Sequence, residues 1–543
     1  MLTLALKTGI MTINGKKGVL YMNPGKPRPL LLERCGSFFY KFWKESKLPF
    51  LSSLLFGFLA YTFAFTNKLV NHDEVFSLFM KGATVDSGRW GLGFLDAVFP
   101  NISMPWIYGV LSLVFMAWAV CLILRIFSIQ SRLLQVLLSG CVMVFPSLIG
   151  MFGYMFTSSS FTLAFLLSVA AVWFLHWNPK IGLLPALGCM VFSLSIYQSY
   201  ISVAAGLLIL ILVQRLLSGD KIPPVILSGV CYVAFLAVSL GVYFGATQIF
   251  LKLLHVEMNS YASGNLSFSL LSIPANIAAA YESFLRYFTE GCQGLLPTGL
   301  SRLVNSLSLA AALLLLILWG CSQERKEPAR YVLLAVLAAL LPLTVNCMYL
   351  FTIPQSIHTL VLYGFVCVYI LCVIVGDACL SLASGKGWKH FLREGALNIL
   401  TLSMAVSILI NVYVANAAYL NLHLRYENAC SFYTSLSAQI KSMPEFQADT
   451  KLAILGTYPE PDFYGEHFSF LEELTGVKGF LPDSYSRGKF LEYYLNFPMP
   501  SPSEEEITAI LASPEYAGMA VYPYYGSVRL IGDTIVVKLS DNP

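Results

Sequence analysis

Eleven times along this chain the residues stay apolar for long enough to cross a bilayer as a helix, which takes about 20 residues for a ~30 Å hydrocarbon core. The runs lie near 48–67, 105–127, 133–152, 157–176, 181–199, 200–217, 224–250, 303–320, 331–351, 357–376 and 397–417. Inside lipid every backbone N–H and C=O must find a partner within the protein, so only helices and closed barrels span. Barrel strands are short and alternate apolar with polar residues, whereas these runs are long and continuous. They read as helices. The composition agrees, with 57% hydrophobic and 12% charged residues, against roughly 25% charged in an aqueous domain. The expected fold class is a polytopic α-helical membrane protein with eleven transmembrane helices. The fifth and sixth runs are nearly continuous and part only at "SIYQSY". No strict internal repeat is visible.

Lysine and arginine set the orientation, because basic loops stay in the cytoplasm. Before the first run stand Lys7, Lys16, Lys17, Lys26, Arg28, Arg34, Lys41, Lys44 and Lys47. Every second connection after it is also basic, with Arg125, Arg132, Lys180, Arg215, Lys221, Arg325, Lys326, Arg330, Lys386, Lys389 and Arg393. These make 20 of the 34 basic residues, while the short connections near Tyr154, Tyr197 and Pro354 have none. The N-terminus is therefore expected in the cytoplasm, and an odd number of spans puts the C-terminus outside. A net charge of +4 distributed in this way points to no nucleic-acid partner.

Three regions follow. Residues 1–47 form a basic cytoplasmic segment and not a signal peptide, since the run after it is too long and no small-residue cleavage site follows. Residues 48–417 form the transmembrane domain, with long outer loops at 68–104 and 251–302. In the second loop, "PANIAAAYESFLRYFTEG" spaces Ile277, Ala280, Tyr281, Phe284, Leu285 and Phe288 for a helix along the membrane surface. Residues 418–543 carry 16 acidic and 8 basic residues and read as a small extracytoplasmic α/β domain. Its strands are expected at "KLAILGTYP", "AGMAVYPYY" and "DTIVVKL", and its helix at "PSPSEEEITAILAS", capped by Ser503. The 12 cysteines show no CxxC pair or metal-ligand spacing. Nine sit in or beside apolar runs as small hydrophobes, Cys35 lies in the basic segment, and Cys292 and Cys430 could form a disulfide.

The stretch "NHDEVFSLFMKGATVDSGRWG", residues 71–91, places Asp73 and Glu74 side by side just after the first run. An ionised Asp deep in lipid costs roughly 2.5–3.5 kcal/mol, so the pair belongs at an interface or a polar cavity. Two readings are open. Asn71 can cap a helix "DEVFSLFMKG" whose first turn holds the acids. Alternatively, a carboxylate is poised there as a general base. Glycosyl transfer from a phosphate needs such a base on the attacking hydroxyl, and a base facing away from the leaving group inverts the anomeric carbon. The leaving phosphate needs a cation. Outside the tail, Lys68, Lys81, Arg89, Lys252, Arg286 and Arg302 are the outer basic residues. Arg89 is the first candidate, because guanidinium grips phosphate bidentately, and Arg286 is a further one. Trp90 could stack on a sugar or anchor at the interface, and a snorkelling arginine is the plainer reading of Arg89.

Four features together resemble bacterial membrane glucosyltransferases of the O-antigen-modifying type, a branch of the GT-C fold. They are the acidic pair after the first span, "SGRWG" some fifteen residues on, "LSIYQSY" midway and "IHTLVLYGF" late. The tail resembles that family's C-terminal region. The resemblance implies a GT-C-like architecture and a polyprenyl-phosphate-linked sugar donor, usually glucose. It implies transfer to a cell-surface polysaccharide or glycolipid outside the membrane. By position it assigns catalysis to Asp73, with Glu74 as partner or substitute, and donor phosphate binding to Arg89.

The sequence also departs from that family. Where a second acid is common in a later outer loop, "GYMFTSSSF" offers only hydroxyls, which ligate a divalent metal poorly. Metal-independent chemistry with no cofactor is the expectation. Where an arginine is expected late, His358 stands instead, and a protonated imidazole would serve phosphate best. Tyr197, Gln198 and Tyr200 could line a sugar or acceptor site, or form an interfacial aromatic belt. No phosphate-binding GxGxxG or GxxxxGK[ST] loop is present, which fits a lipid-linked donor. The alternatives are a transporter or flippase of lipid-linked saccharides and a polysaccharide polymerase or ligase. The first would carry ionisable residues in mid-membrane, and these runs are almost free of them.

Overall fold

The computed structural model describes residues 10–13, 16–19, 31–80, 84–98, 102–259, 270–323, 327–353, 356–380, 387–447, 449–458, 462–477 and 486–541. It divides into two units, Met1–Lys47 and Leu48–Pro543. In the first, β1 (Ile10–Ile13) and β2 (Lys16–Val19) pair antiparallel, with Ile10 opposite Val19.

Among the described residues, eleven helices are long and apolar enough to cross a membrane. In order they are Trp43–Thr66, Pro105–Ile126, Arg132–Met151, Met155–Trp177, Pro179–Ile196, Gln198–Leu217, Ile222–Leu253, Gly299–Cys321, Pro328–Val345, Thr359–Leu380 and Trp388–Lys441. Each matches one of the apolar runs, including the fifth and sixth, which do part at Tyr197. Their starts are legible. Pro105, Pro179 and Pro328 stand in the first turn, where a missing N–H costs nothing. Ser131, Asn178 and Thr298 supply capping oxygens.

The sixth and tenth spans form the centre, with 89% and 94% of their apolar windows buried against 17% for the seventh. Their approach is close. A Cβ at Gly206 would lie 2.4 Å from Cys367 Sγ, so only glycine fits there. The third span breaks before Pro146, whose ring removes the N–H that Val142 O would accept. Tyr363 Oη donates to that carbonyl at 2.9 Å, and Tyr61 Oη donates to Met143 O at 2.8 Å. Tyr419 Oη satisfies Ile149 O at 2.9 Å. Three tyrosines from three other spans thus repair the break, as a low-dielectric interior requires.

The helix Ile273–Thr289 lies where the second loop was expected to hold one. It turns Ala280, Ser283 and Tyr287 inward, and the Tyr287 ring meets Phe365 of the tenth span at 4.6 Å. The eleventh helix has 54 residues, or ~80 Å, against ~30 Å of hydrocarbon, and it runs unbroken into the tail. There Tyr433, Leu436 and Ile440 join the tail core. The tail sheet has the order β3-β5-β4. β3 (Lys451–Leu455) pairs parallel with β5 (Thr534–Lys538), and β4 (Val528–Ile531) pairs antiparallel with β5. "AGMAVYPYY" is not a strand. Pro523 cannot give a ladder N–H, and the segment turns before β4 begins. The helix Glu504–Leu511 carries the expected Ser503 cap, with Glu506 completing a capping box. Cys292 and Cys430 are both free thiols, the first hydrogen-bonded to Ser283 at 3.2 Å.

Candidate active site

The acidic pair sits on a five-residue helix, His72–Phe76. Asn71 caps it, its Oδ1 accepting the Glu74 N–H at 2.9 Å. Asn71 Nδ2 also donates to Gly153 O at 2.7 Å and Gly476 O at 3.1 Å. One side chain therefore fixes the helix to the turn before the fourth span and to the tail. Val70 and Val75 bury in the tail core beside Phe490 and Leu491. The helix ends at Phe76, short of the expected "DEVFSLFMKG", whose last two residues, Lys81 and Gly82, lie outside the described residues.

The two carboxylates have opposite surroundings. Glu74 is completely buried and accepts from Lys68 Nζ, from Ser103 Oγ and from the Phe156 N–H at 3.1 Å. Lys68 Nζ also donates to Ser103 Oγ at 2.8 Å. Such a satisfied ion pair is a structural anchor, since removing one partner strands a buried charge. Asp73 is 40% exposed, and its Oδ1 lies 3.6 Å from His72 Nε2. Of the pair, Asp73 is the one that a ligand can reach.

Arg89 follows a tight turn. Gly88 has φ +74°, and a Cβ there would lie 2.7 Å from Tyr243 Oη. Gln198 Nε2 donates to Ser87 O at 3.2 Å and to Tyr243 Oη at 2.9 Å, and Tyr243 Oη donates to Gly88 O at 3.1 Å. The Trp90 indole donates to Thr247 Oγ1 at 3.2 Å and stacks on Phe250 at 4.9 Å. Trp90 and Gln198 thus lock the "SGRWG" backbone. The Arg89 guanidinium lies 5.6 Å from the Tyr197 ring centroid and 5.8 Å from that of Phe161. Cation–π attraction holds it there. Among the described residues Arg89 makes no ion pair, and its buried Nε has no hydrogen-bond partner.

His358 stands beside this guanidinium. Burial first, and the Arg89 charge second, push its imidazole down to about 4. It is neutral at pH 7, against the expectation of a protonated phosphate contact. Tyr197 stacks on Phe161 at 4.5 Å, while Tyr200 is fully buried against Phe165 and Tyr363. Tyr200 supports the cluster from beneath and does not open toward a ligand. Thr157 and Ser158 bond to carbonyls of their own helix and its cap residue, Met155 O and Tyr154 O.

The structure therefore brings together Arg89, His358, Tyr197, Gln198 and Trp90. Glu74 reaches the same region from the other direction, because Phe156 and Phe161 lie in the opening turns of the fourth span, about 7.5 Å apart along its axis. Arg286 is elsewhere. It is 55% exposed, with Nε 2.9 Å from Glu290 Oε2 and Nη1 3.9 Å from Glu282 Oε1. Sequence reading passed over Phe161, Tyr243, Ser103 and Thr359. It noted Lys68 only as a basic residue and gave it no role.

Comparison with known proteins gives one family. A family model described as Glucosyl transferase GtrII matches residues 62–369, more than half of the chain. That interval holds every candidate site residue and leaves out the tail. No curated protein and no solved structure matches.

Proposed function

The chain belongs to the GtrII glucosyltransferase family, and on that premise we propose that it is an inverting transferase using polyprenyl-phosphate-linked glucose. Membership makes it a glycosyltransferase with a sugar donor and an acceptor, and eleven apolar helices make it a multi-pass membrane protein. In the finer reading the architecture is GT-C-like and the N-terminus is cytoplasmic. Loops 68–104 and 251–302 and the tail 418–543 then face outward, where a polysaccharide or glycolipid accepts the sugar. The basic-residue bias supports that orientation.

In this reading Asp73 takes the proton of the acceptor hydroxyl as its oxygen bonds to C1 of the sugar. The C1–O bond to phosphate breaks, and its electron pair leaves with the prenyl phosphate. Attack on the face away from phosphate inverts C1. Arg89, free of any carboxylate partner among the described residues, pairs with the phosphate oxygens. Neutral His358 donates one N–H to the same group. Glu74 positions Asp73 through Lys68, Ser103 and Phe156, and Gln198 and Trp90 position Arg89. Tyr197 backs the guanidinium.

The observation that carries this reading is an accessible carboxylate, Asp73, whose neighbour Glu74 is held by the opening turn of the fourth span, and an arginine against Phe161 of that same span with no ion pair among the described residues. The test is radiolabelled polyprenyl-phosphate glucose with purified protein in detergent and a panel of surface polymers. Label should pass to a polymer with inverted anomeric configuration and release prenyl phosphate. Retention of configuration, or movement of intact donor across a bilayer without release, would overturn it.

A further inference from the structure

A second concave site lies on the long loops, and the transfer reading has not used it. It is a hollow of about 500 Å³ whose walls come from the helix Ile273–Thr289, the loop 290–293, Tyr349 and Glu473 of the tail. Three carboxylates, Glu282, Glu290 and Glu473, face one guanidinium, Arg286, which is already bound to two of them. An anion entering here meets surplus negative charge, and like-charge juxtaposition is a strong device against wrong partners. Arg286 is therefore badly placed to hold a donor phosphate. The remaining lining is suited to hydroxyl groups. Carboxylates accept from them, Gln293 and Arg286 donate to them, and Tyr349 offers an aromatic ring.

The hollow also adjoins the reaction centre. Thr359 Oγ1 donates to Gln293 O and to Glu473 O, the latter at 3.2 Å, and Thr359 directly follows His358. On its other side the tail runs from Glu473 to Gly476, whose carbonyl accepts from Asn71, the cap of the Asp73 helix. Three residues span at most about 10 Å. The Gly294 N–H fixes Glu473 by donating to its Oε2 at 3.3 Å.

We propose that this hollow is the acceptor subsite, and that it takes a neutral or amino-sugar chain and rejects uronate- or phosphate-bearing ones. The assignment rests on the transfer reading above for its meaning, but its binding chemistry stands apart from turnover. The test is ligand-observed NMR titration of the full chain in neutral-lipid nanodiscs, without donor and at low ionic strength, with maltotetraose and tetragalacturonate as probes. Maltotetraose should bind and tetragalacturonate should not. The double substitution Glu282→Gln with Glu473→Gln should weaken maltotetraose about tenfold, the loss of one charge-assisted hydrogen bond, and admit the uronate. The single Glu282→Gln, at a 69% exposed side chain, controls for misfolding and should shift each affinity in the direction that the double substitution does, maltotetraose weaker and the uronate tighter. Equal binding of the two probes, binding of neither, or indifference to the substitutions would overturn the proposal. Asp73→Asn should leave this binding intact, so a failed transferase and a failed subsite give different results.

Discussion

Two arginines on the long loops live in opposite company. Arg89 is held by aromatic faces beside His358, with no carboxylate ion pair among the described residues. Arg286 lies between carboxylates four residues before and after it. A guanidinium already paired has little left to offer a phosphate, and one resting on rings keeps its donors available. The residue type is the same, and the surroundings decide the chemistry. Asp73 and Glu74 repeat the lesson within two adjacent positions, one 40% exposed and one fully buried.

The contrast can be tested from its strongest consequence downward. Asp73→Asn should lower kcat by about 10³-fold while leaving the melting temperature in place, as loss of a general base does. A wild-type rate in the purified variant would remove the base. Arg89→Ala should lower donor kcat/KM by about 10²-fold, whereas Arg286→Ala should change donor use less than about threefold. The reverse ranking would break the comparison outright. Glu74→Ala should act on stability, costing about 3 kcal/mol because Lys68 and Ser103 lose their buried acceptor. Chemical denaturation in detergent measures it, and a stable but inactive variant would move Glu74 into the chemistry.

A further effect concerns pH. His358 has a folded value of about 4, below the ordinary 6.5, so the unfolded chain binds the extra proton between them. The stability that comes from its neutrality is fully present above pH 6.5 and is lost as pH falls toward 4. His358→Gln should flatten that part of a stability–pH curve. An unchanged slope would mean that the imidazole is not held neutral.

Much of the architecture was readable in advance, because lipid imposes a length and polarity rule that each apolar run must satisfy. The Asn71 and Ser503 caps were equally local. So was the Arg286 pairing, since Glu282 and Glu290 stand at helical spacing on either side, although only the structure drew attention to it. What local pattern could not supply was company from far along the chain. Trp90 meets Phe250 with its ring and Thr247 with its N–H, and its neighbours in sequence announce neither. Nothing near Glu74 in sequence announces Phe156, and nothing near His358 announces Glu473. The strand expected at "AGMAVYPYY" failed for a local reason, since Pro523 was there to be read.

Asn71 joins its helix to carbonyls 82 and 405 positions further along. During synthesis the second of those arrives only after all eleven spans have been made. Until the ribosome has delivered residue 476, the segment bearing Asp73 lacks one of its fastenings. A chain released early would then carry every span that the family model matches and still hold its acid loosely.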